Sequence, residues 1–197
     1  MGHAFEGCSY LGITAEDTPD FKNMDNWNVS NVISMNHTFS GRVKMDEGLD
    51  VYENEFNQDI GGWDVSNVRY MEGMFKLSSF NQDITGWDVS NVRNMISMFA
   101  GEAIYDIDGR DIYTSFNQDI STWDVSNVTS MYNMFNNYSN LSTLNYDSIL
   151  NGWSLLSLKN GVNFGVGTTK YSKEAKEAKE KIINDFNWTI TDGGMVE

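Results

Sequence analysis

The sequence predicts an α/β repeat fold: short parallel strands on one side of a stack, short helices on the other, and an α/β cap at the C-terminus. Three observations carry that expectation. First, residues 56–75, 80–99 and 116–135 read FNQDIGGWDVSNVRYMEGMF, FNQDITGWDVSNVRNMISMF and FNQDISTWDVSNVTSMYNMF, with fourteen of the twenty positions identical in all three. A degraded copy, WNVSNVISMNHTF, runs from Trp27 to Phe39. Second, each copy holds apolar residues in two different periodicities. Third, the pattern changes beyond Phe135 into two helix-like and two strand-like segments. Self-similarity at a fixed period marks an array in which no unit buries its apolar face alone.

Within one unit, Phe80-Asn81-Gln82-Asp83-Ile84, if extended, puts Phe80, Gln82 and Ile84 on one face and Asn81 and Asp83 on the other. A turn through Trp87-Asp88-Val89 follows. Ser90 has the chemistry of an N-cap, and Val92, Met95 and Phe99 then recur at helical spacing with Met98 beside them. Each unit therefore reads as a short strand, a turn and a helix of about two turns, too short to stand alone. Successive strands are expected side by side at ~4.8 Å in a parallel sheet.

Spacing defines the array. Trp63 and Trp87 are 24 residues apart, whereas Trp27–Trp63 and Trp87–Trp123 are each 36 apart. The extra residues fall at one point of the unit, in inserts 40–55 and 100–115, and are expected to project from one side, where as the least repetitive part of the array they share ligand binding with the sheet face. The predicted organisation is one domain over 1–197. Residues 1–26 are a partial N-terminal repeat, 27–135 the array, and 136–194 a cap. Aligned on the M-x-x-M-F ending, Met1, Ala4 and Phe5 take the places of Met71, Met74 and Phe75, as in a segment of a longer protein. In the cap, residues 145–153 read as a helix and Val162–Val166 as a strand. Ser172 caps a helix with Ala175, Ala178, Ile182 and Phe186 inward, and Trp188–Thr191 is a last strand.

Composition bounds the function. Hydrophobic residues make up 40% of the chain, enough for a packed core, and the net charge of −15 disfavours nucleic acid and anionic lipid as partners. The single cysteine, Cys8, rules out an internal disulfide, and no apolar run is long enough to span a bilayer. His3 and His37 lie near no nucleophile motif, no His/Cys metal cluster exists and no Gly-rich loop follows a strand. The expectation is a monomeric protein that is not an enzyme.

The W-D-V-S-N-V-x-x-M-x-x-M-F unit with its preceding F-N-Q-D-I resembles the BspA-like leucine-rich repeats of bacterial surface proteins. The ending NYDSILNGWSLLSLKNGVNFGVGTTKYSKEAKEAKEKIINDFNWTITDGG is similar to the C-terminal segment that follows such repeats. The resemblance covers Trp27 to Gly194. It implies a leucine-rich-repeat-like solenoid, secreted and displayed at the bacterial cell surface, that adheres to or recognises proteins or glycans without catalysis. Asn28 in place of Asp, Thr38 in place of Met and the two inserts depart from the pattern.

Candidate sites follow from the repeat. Gln58, Gln82 and Gln118, with Asp59, Asp83 and Asp119, are expected to stack in columns as a ligand-binding face, the carboxylate ladder needing screening, hydrogen bonds or cations. The competing expectation is that they bond neighbouring turns. Asn57, Asn81 and Asn117 are expected as an internal ladder, and Trp63, Trp87 and Trp123 as core. In the second insert, D-x-D-G-x-D resembles the start of acidic calcium loops, making Asp106, Asp108 and Asp111 candidate calcium ligands. Calcium is the one cofactor suggested. The alternative function is a spacer within a larger adhesin, rigidified by calcium.

Overall fold

The computed structural model describes residues 24–44, 50–52, 56–103 and 111–197. The array is stacked through its backbone. Parallel bridges link Ser34 to Tyr70, Tyr70 to Asn94 and Asn94 to Ser130. The ladder continues through β5 (Met131–Phe135), which pairs in parallel with β6 (Asn163–Val166), which in turn pairs with β7 (Thr189–Thr191). Repeat units and C-terminal segment thus share one run of parallel pairing.

The ladder runs through a different stretch from the one expected. Among the described residues of 24–135 there is no α-helix, and F-N-Q-D-I forms no strand. Instead M-x-x-M-F runs through turns and is laddered to the next unit: Met95, Ser97 and Phe99 donate their N–H to the carbonyls of Ser130, Tyr132 and Met134. The same bonds run from Met71, Gly73 and Phe75 to Asn94, Ile96 and Met98. The physical reason is partner choice. A two-turn helix would satisfy few of its own N–H groups, whereas the adjacent unit offers a carbonyl at every second residue. Ser90 is correspondingly not a helix cap; its N–H donates to Asp88 Oδ1 at 3.0 Å.

One backbone position makes the ladder incompatible with a helix. Two residues beyond the first Met of each unit, His37, Gly73, Ser97 and Asn133 all have φ between 51° and 57°. Three of these four are not glycine, and a left-handed residue costs roughly 1–2 kcal/mol when it carries a Cβ. Ser97→Gly should therefore raise stability by about 0.5–1 kcal/mol after the greater chain entropy of glycine is subtracted. A urea midpoint equal to or below the parent's would contradict this.

The core is built of aromatic columns. Phe39, Phe75, Phe99 and Phe135 stack in sequence with centroids 5.7, 5.7 and 5.3 Å apart. Phe56, Phe80 and Phe116 form a second column at 5.9 and 6.3 Å. Trp27–Trp63 and Trp87–Trp123 pairs stand at 6.5 Å. Ring centroids are thus closest in the column that ends the ladder segment and farthest apart at the tryptophans.

Both inserts begin as antiparallel hairpins at the same register. β1 (Arg42–Lys44) pairs with β2 (Asp50–Tyr52), and β3 (Glu102–Ala103) with β4 (Asp111–Ile112). The second hairpin is pinned where it meets the stack. Thr114, buried, donates its hydroxyl to Phe99 O, and Asn136 exchanges two hydrogen bonds with the Gly101 backbone.

The C-terminal elements lie where the sequence puts them. α1 (Thr143–Trp153) is capped by Ser142 and buries Tyr146, Ile149, Leu150 and Trp153 on one stripe. A 3-10 turn, Lys173–Ala175, capped by Ser172, leads into α2 (Lys176–Phe186), which buries Ala178 and Ile182 and ends at Asn187 with φ 53°. α1 also takes over the bonds of a repeat unit. Ser142 N donates to Asn117 Oδ1, Asn145 Nδ2 to Asn117 O, and Trp153 Nε1 to Ile120 O. No helix of the described residues is long and apolar enough to cross a membrane.

Candidate functional site

The residues that repeat without change are engaged in holding units together. Asn57 Oδ1 accepts from Asn81 N, Asn81 Oδ1 from Asn117 N and Asn117 Oδ1 from Ser142 N, each at 2.8–2.9 Å. Amide side chains thus link the units at a segment that makes no ladder of backbone bonds. A second asparagine column does the same, Asn67, Asn91 and Asn127 donating to Ser30 O, Ser66 O and Ser90 O. The indoles form a third set of links, Trp63, Trp87 and Trp123 donating Nε1–H to Met24 O, Ile60 O and Ile84 O.

The glutamines and aspartates expected as a ligand face divide between two tasks. Gln82 Nε2 donates to Asn57 O and Gln118 Nε2 to Asn81 O, while Gln58 is exposed. Asp59, Asp83 and Asp119 are exposed, and each accepts at 2.9 Å from the N–H two residues on: Gly61, Thr85 and Ser121. The Thr85 hydroxyl and N–H hold the Asp83 carboxyl below the usual carboxylate range, and those of Ser66 do the same for Asp64. These carboxylates cap turns, and each carries its own local hydrogen bonds as its compensation for standing in a like-charged column.

This arrangement makes Asn81 a measurable joint. Asn81→Ala removes the acceptor of Asn117 N, while Gln118 Nε2 keeps the Asn81 carbonyl. It should cost about 1–3 kcal/mol, since a partly buried N–H loses its partner. Denaturant unfolding checks it, and a loss below about 0.5 kcal/mol would show that water replaces the side chain without penalty.

The positions that differ between units lie elsewhere. Six of the twenty vary: two in the turn before Trp, and four on the ladder segment. On the ladder they form columns Ile33–Arg69–Arg93–Thr129, Ser34–Tyr70–Asn94–Ser130, Asn36–Glu72–Ile96–Tyr132 and His37–Gly73–Ser97–Asn133. All but Gly73 are exposed or half-buried; Tyr70 is 40% and Tyr132 59% exposed. Neighbours on this strip touch. Asn94 Nδ2 donates to Glu72 Oε2 at 3.1 Å, Asn36 Oδ1 accepts from Glu72 N, and His37 Nε2 stands 4.0 Å from Glu72 Oε1. Gly73 leaves room for the histidine: a Cβ there would lie 2.4 Å from His37 Nδ1, so a side chain would displace the imidazole ring.

Sequence reasoning chose the invariant polar residues and passed over this strip. The signal was the variation itself, because a position free to differ between units is one whose side chain the stack does not need. Of the candidate calcium ligands, Asp106 and Asp108 lie outside the described residues, and Asp111 is placed by its backbone in β4. Among the described residues no three His, Cys, Asp or Glu side chains converge as a metal site.

A buried polar cluster in the C-terminal segment escaped the sequence altogether. Asp192 Oδ2 accepts from Tyr146 Oη at 2.6 Å and lies 2.7 Å from Lys179 Nζ, while its Oδ1 accepts from Gly194 N. Lys179 also sits over the Tyr171 ring, 4.2 Å from its centroid. Burial, and next the Asp192 carboxylate, push the Tyr146 hydroxyl far above its ordinary range, so it serves as a donor. The cluster joins α1, α2 and the residues after β7, and is a structural tie.

Neither the curated proteins nor the solved structures contain a match to the chain. One family model matches residues 16–108 and 110–187, and it is described as "Mycoplasma protein of unknown function, DUF285". With most of the chain matched, the unit of laddered M-x-x-M-F segments and asparagine joints described above belongs to that family.

Proposed function

We propose that the chain is a solenoid recognition module of the BspA-like kind, non-catalytic and displayed outside the cell, which binds a protein or glycan on the exposed strip of the ladder. One observation carries the reading. Invariant side chains are buried or spent on bonds between units and within their own turns, while the variable ones, including Arg69, Tyr70, Arg93, Ile96 and Tyr132, lie exposed or half-buried along the ladder. A fixed scaffold with variable exposed positions is how repeat proteins separate stability from specificity. Exposed tyrosines suit the role, since they bring large contact area with two rotatable side-chain bonds.

The test is a screen of immobilised glycans and bacterial and host cell surfaces. It compares the parent chain with Tyr70→Ser/Tyr132→Ser and with Asp83→Asn/Asp119→Asn. The strip variant should lose binding at an unchanged melting temperature, and the aspartate variant should keep it. Loss in the aspartate variant alone would move the site to the originally expected Gln/Asp face. The lateral bonding favours a second reading, a stiff spacer. A parent chain that binds nothing across the screen would support it.

A further inference from the structure

We infer that the ligand of the strip is a carboxylate-bearing glycan, a uronate oligosaccharide, held by Arg69 and Arg93; this rests on the recognition reading above. Against 28 acidic residues the chain has 13 lysines and arginines. Of the side chains described in residues 24–135, Arg69, Lys76 and Arg93 are the only lysines or arginines. Lys76 is paired with Glu102 at 2.9 Å. Arg69 and Arg93 are exposed and have no carboxylate partner among the described residues, although acidic groups are plentiful. They occupy the same position in adjacent rungs, Arg93 N donating to Arg69 O at 2.9 Å. Two unpaired guanidinium groups one rung apart repel each other, and an anion between them removes that repulsion.

The surroundings select the kind of anion. Arg69 is followed by Tyr70, whose rung neighbour is Asn94, and beyond it Ser130. Tyr70 and, farther along the ladder, Tyr132 present exposed faces for the C–H surface of a sugar ring, and the amide and hydroxyl groups between them suit its hydroxyls. Guanidinium matches a carboxylate with two parallel hydrogen bonds. A net charge of −15 repels polyanions that carry several charges on each sugar, so two arginines suit a chain with no more than one carboxylate per sugar. An acidic peptide adding as a strand would need a free sheet edge, and the strip is a face.

Isothermal titration with oligogalacturonate and with a hyaluronan oligosaccharide tests this, using methyl-esterified oligogalacturonate as the uncharged counterpart. Expected is binding of a uronate, weakened by added salt and absent for the ester. Arg69→Gln/Arg93→Gln should weaken it about ten- to a hundred-fold, as charge-assisted hydrogen bonds are lost. Lys176→Gln/Lys181→Gln removes the same charge on α2 and should leave affinity within about two-fold, its exposed pairs lying off the strip. No binding of either uronate, equal binding of the ester, or equal loss in both double variants would overturn the inference. The first two results leave the recognition reading intact if Tyr70→Ser/Tyr132→Ser still abolishes capture in the screen.

Discussion

Phe99→Ala should lower the unfolding free energy by about 3–5 kcal/mol, the range for truncating a fully buried phenylalanine. The ring is completely buried and stands at the junction of both phenylalanine columns. Phe116 lies 3.8 Å away, Phe135 5.3 Å and Phe75 5.7 Å. Three neighbours in three different segments lose their packing partner at once. Collapse of the cavity is restricted because the backbone there is pinned twice. Phe99 N donates to Met134 O, and Phe99 O accepts from the Thr114 hydroxyl. In a stack whose units touch only their neighbours, weakening one central interface also lowers the coupling between its two halves. Urea unfolding followed by tryptophan fluorescence reads both effects. A loss under about 1.5 kcal/mol would mean that the columns are slack, contrary to close packing.

Asp192→Ala should cost a similar amount, about 3–5 kcal/mol, for a different reason. Its carboxylate is 4% exposed and Lys179 14%, so removal leaves a nearly buried ammonium unpaired. The Tyr146 hydroxyl loses its acceptor in the same step. Asp192→Asn keeps an acceptor for Tyr146 but not the charge opposite Lys179, and should fall between the parent and the alanine variant. The pair Asp192→Ala/Lys179→Met should recover part of the loss, because the unpaired charge is gone. A double variant less stable than Asp192→Ala alone would show that the Lys179 stem and its position over Tyr171 matter more than the ion pair.

Much of this was legible in the chain itself. The repeat register, the burial of every Phe, Trp, Val and Met of the three full copies, and the asparagine joint follow from identical residues recurring at one place. The C-terminal elements were legible for local reasons. Ser142 and Ser172 cap, Tyr146, Ile149, Leu150 and Trp153 share a stripe, and their hydrogen bonds close within four residues. The ladder segment was misread because Val92, Met95 and Phe99 have helical spacing. Periodicity reports which side chains face inward but not which carbonyl receives each N–H.

The repeat register and the apolar core were legible in the sequence alone, since they depend on patterns within a window of some twenty residues. Tertiary structure decided whatever depends on partners farther away. The N–H of Met95 finds the carbonyl of Ser130, and the hydroxyl of Tyr146 finds Asp192, 46 residues on. Distant and local partners together decided the candidate site. Gln82 and Gln118 turned to the backbone of the preceding unit, and Asp83 and Asp119 to their own turns, which left the exposed strip to residues that no bond between units requires.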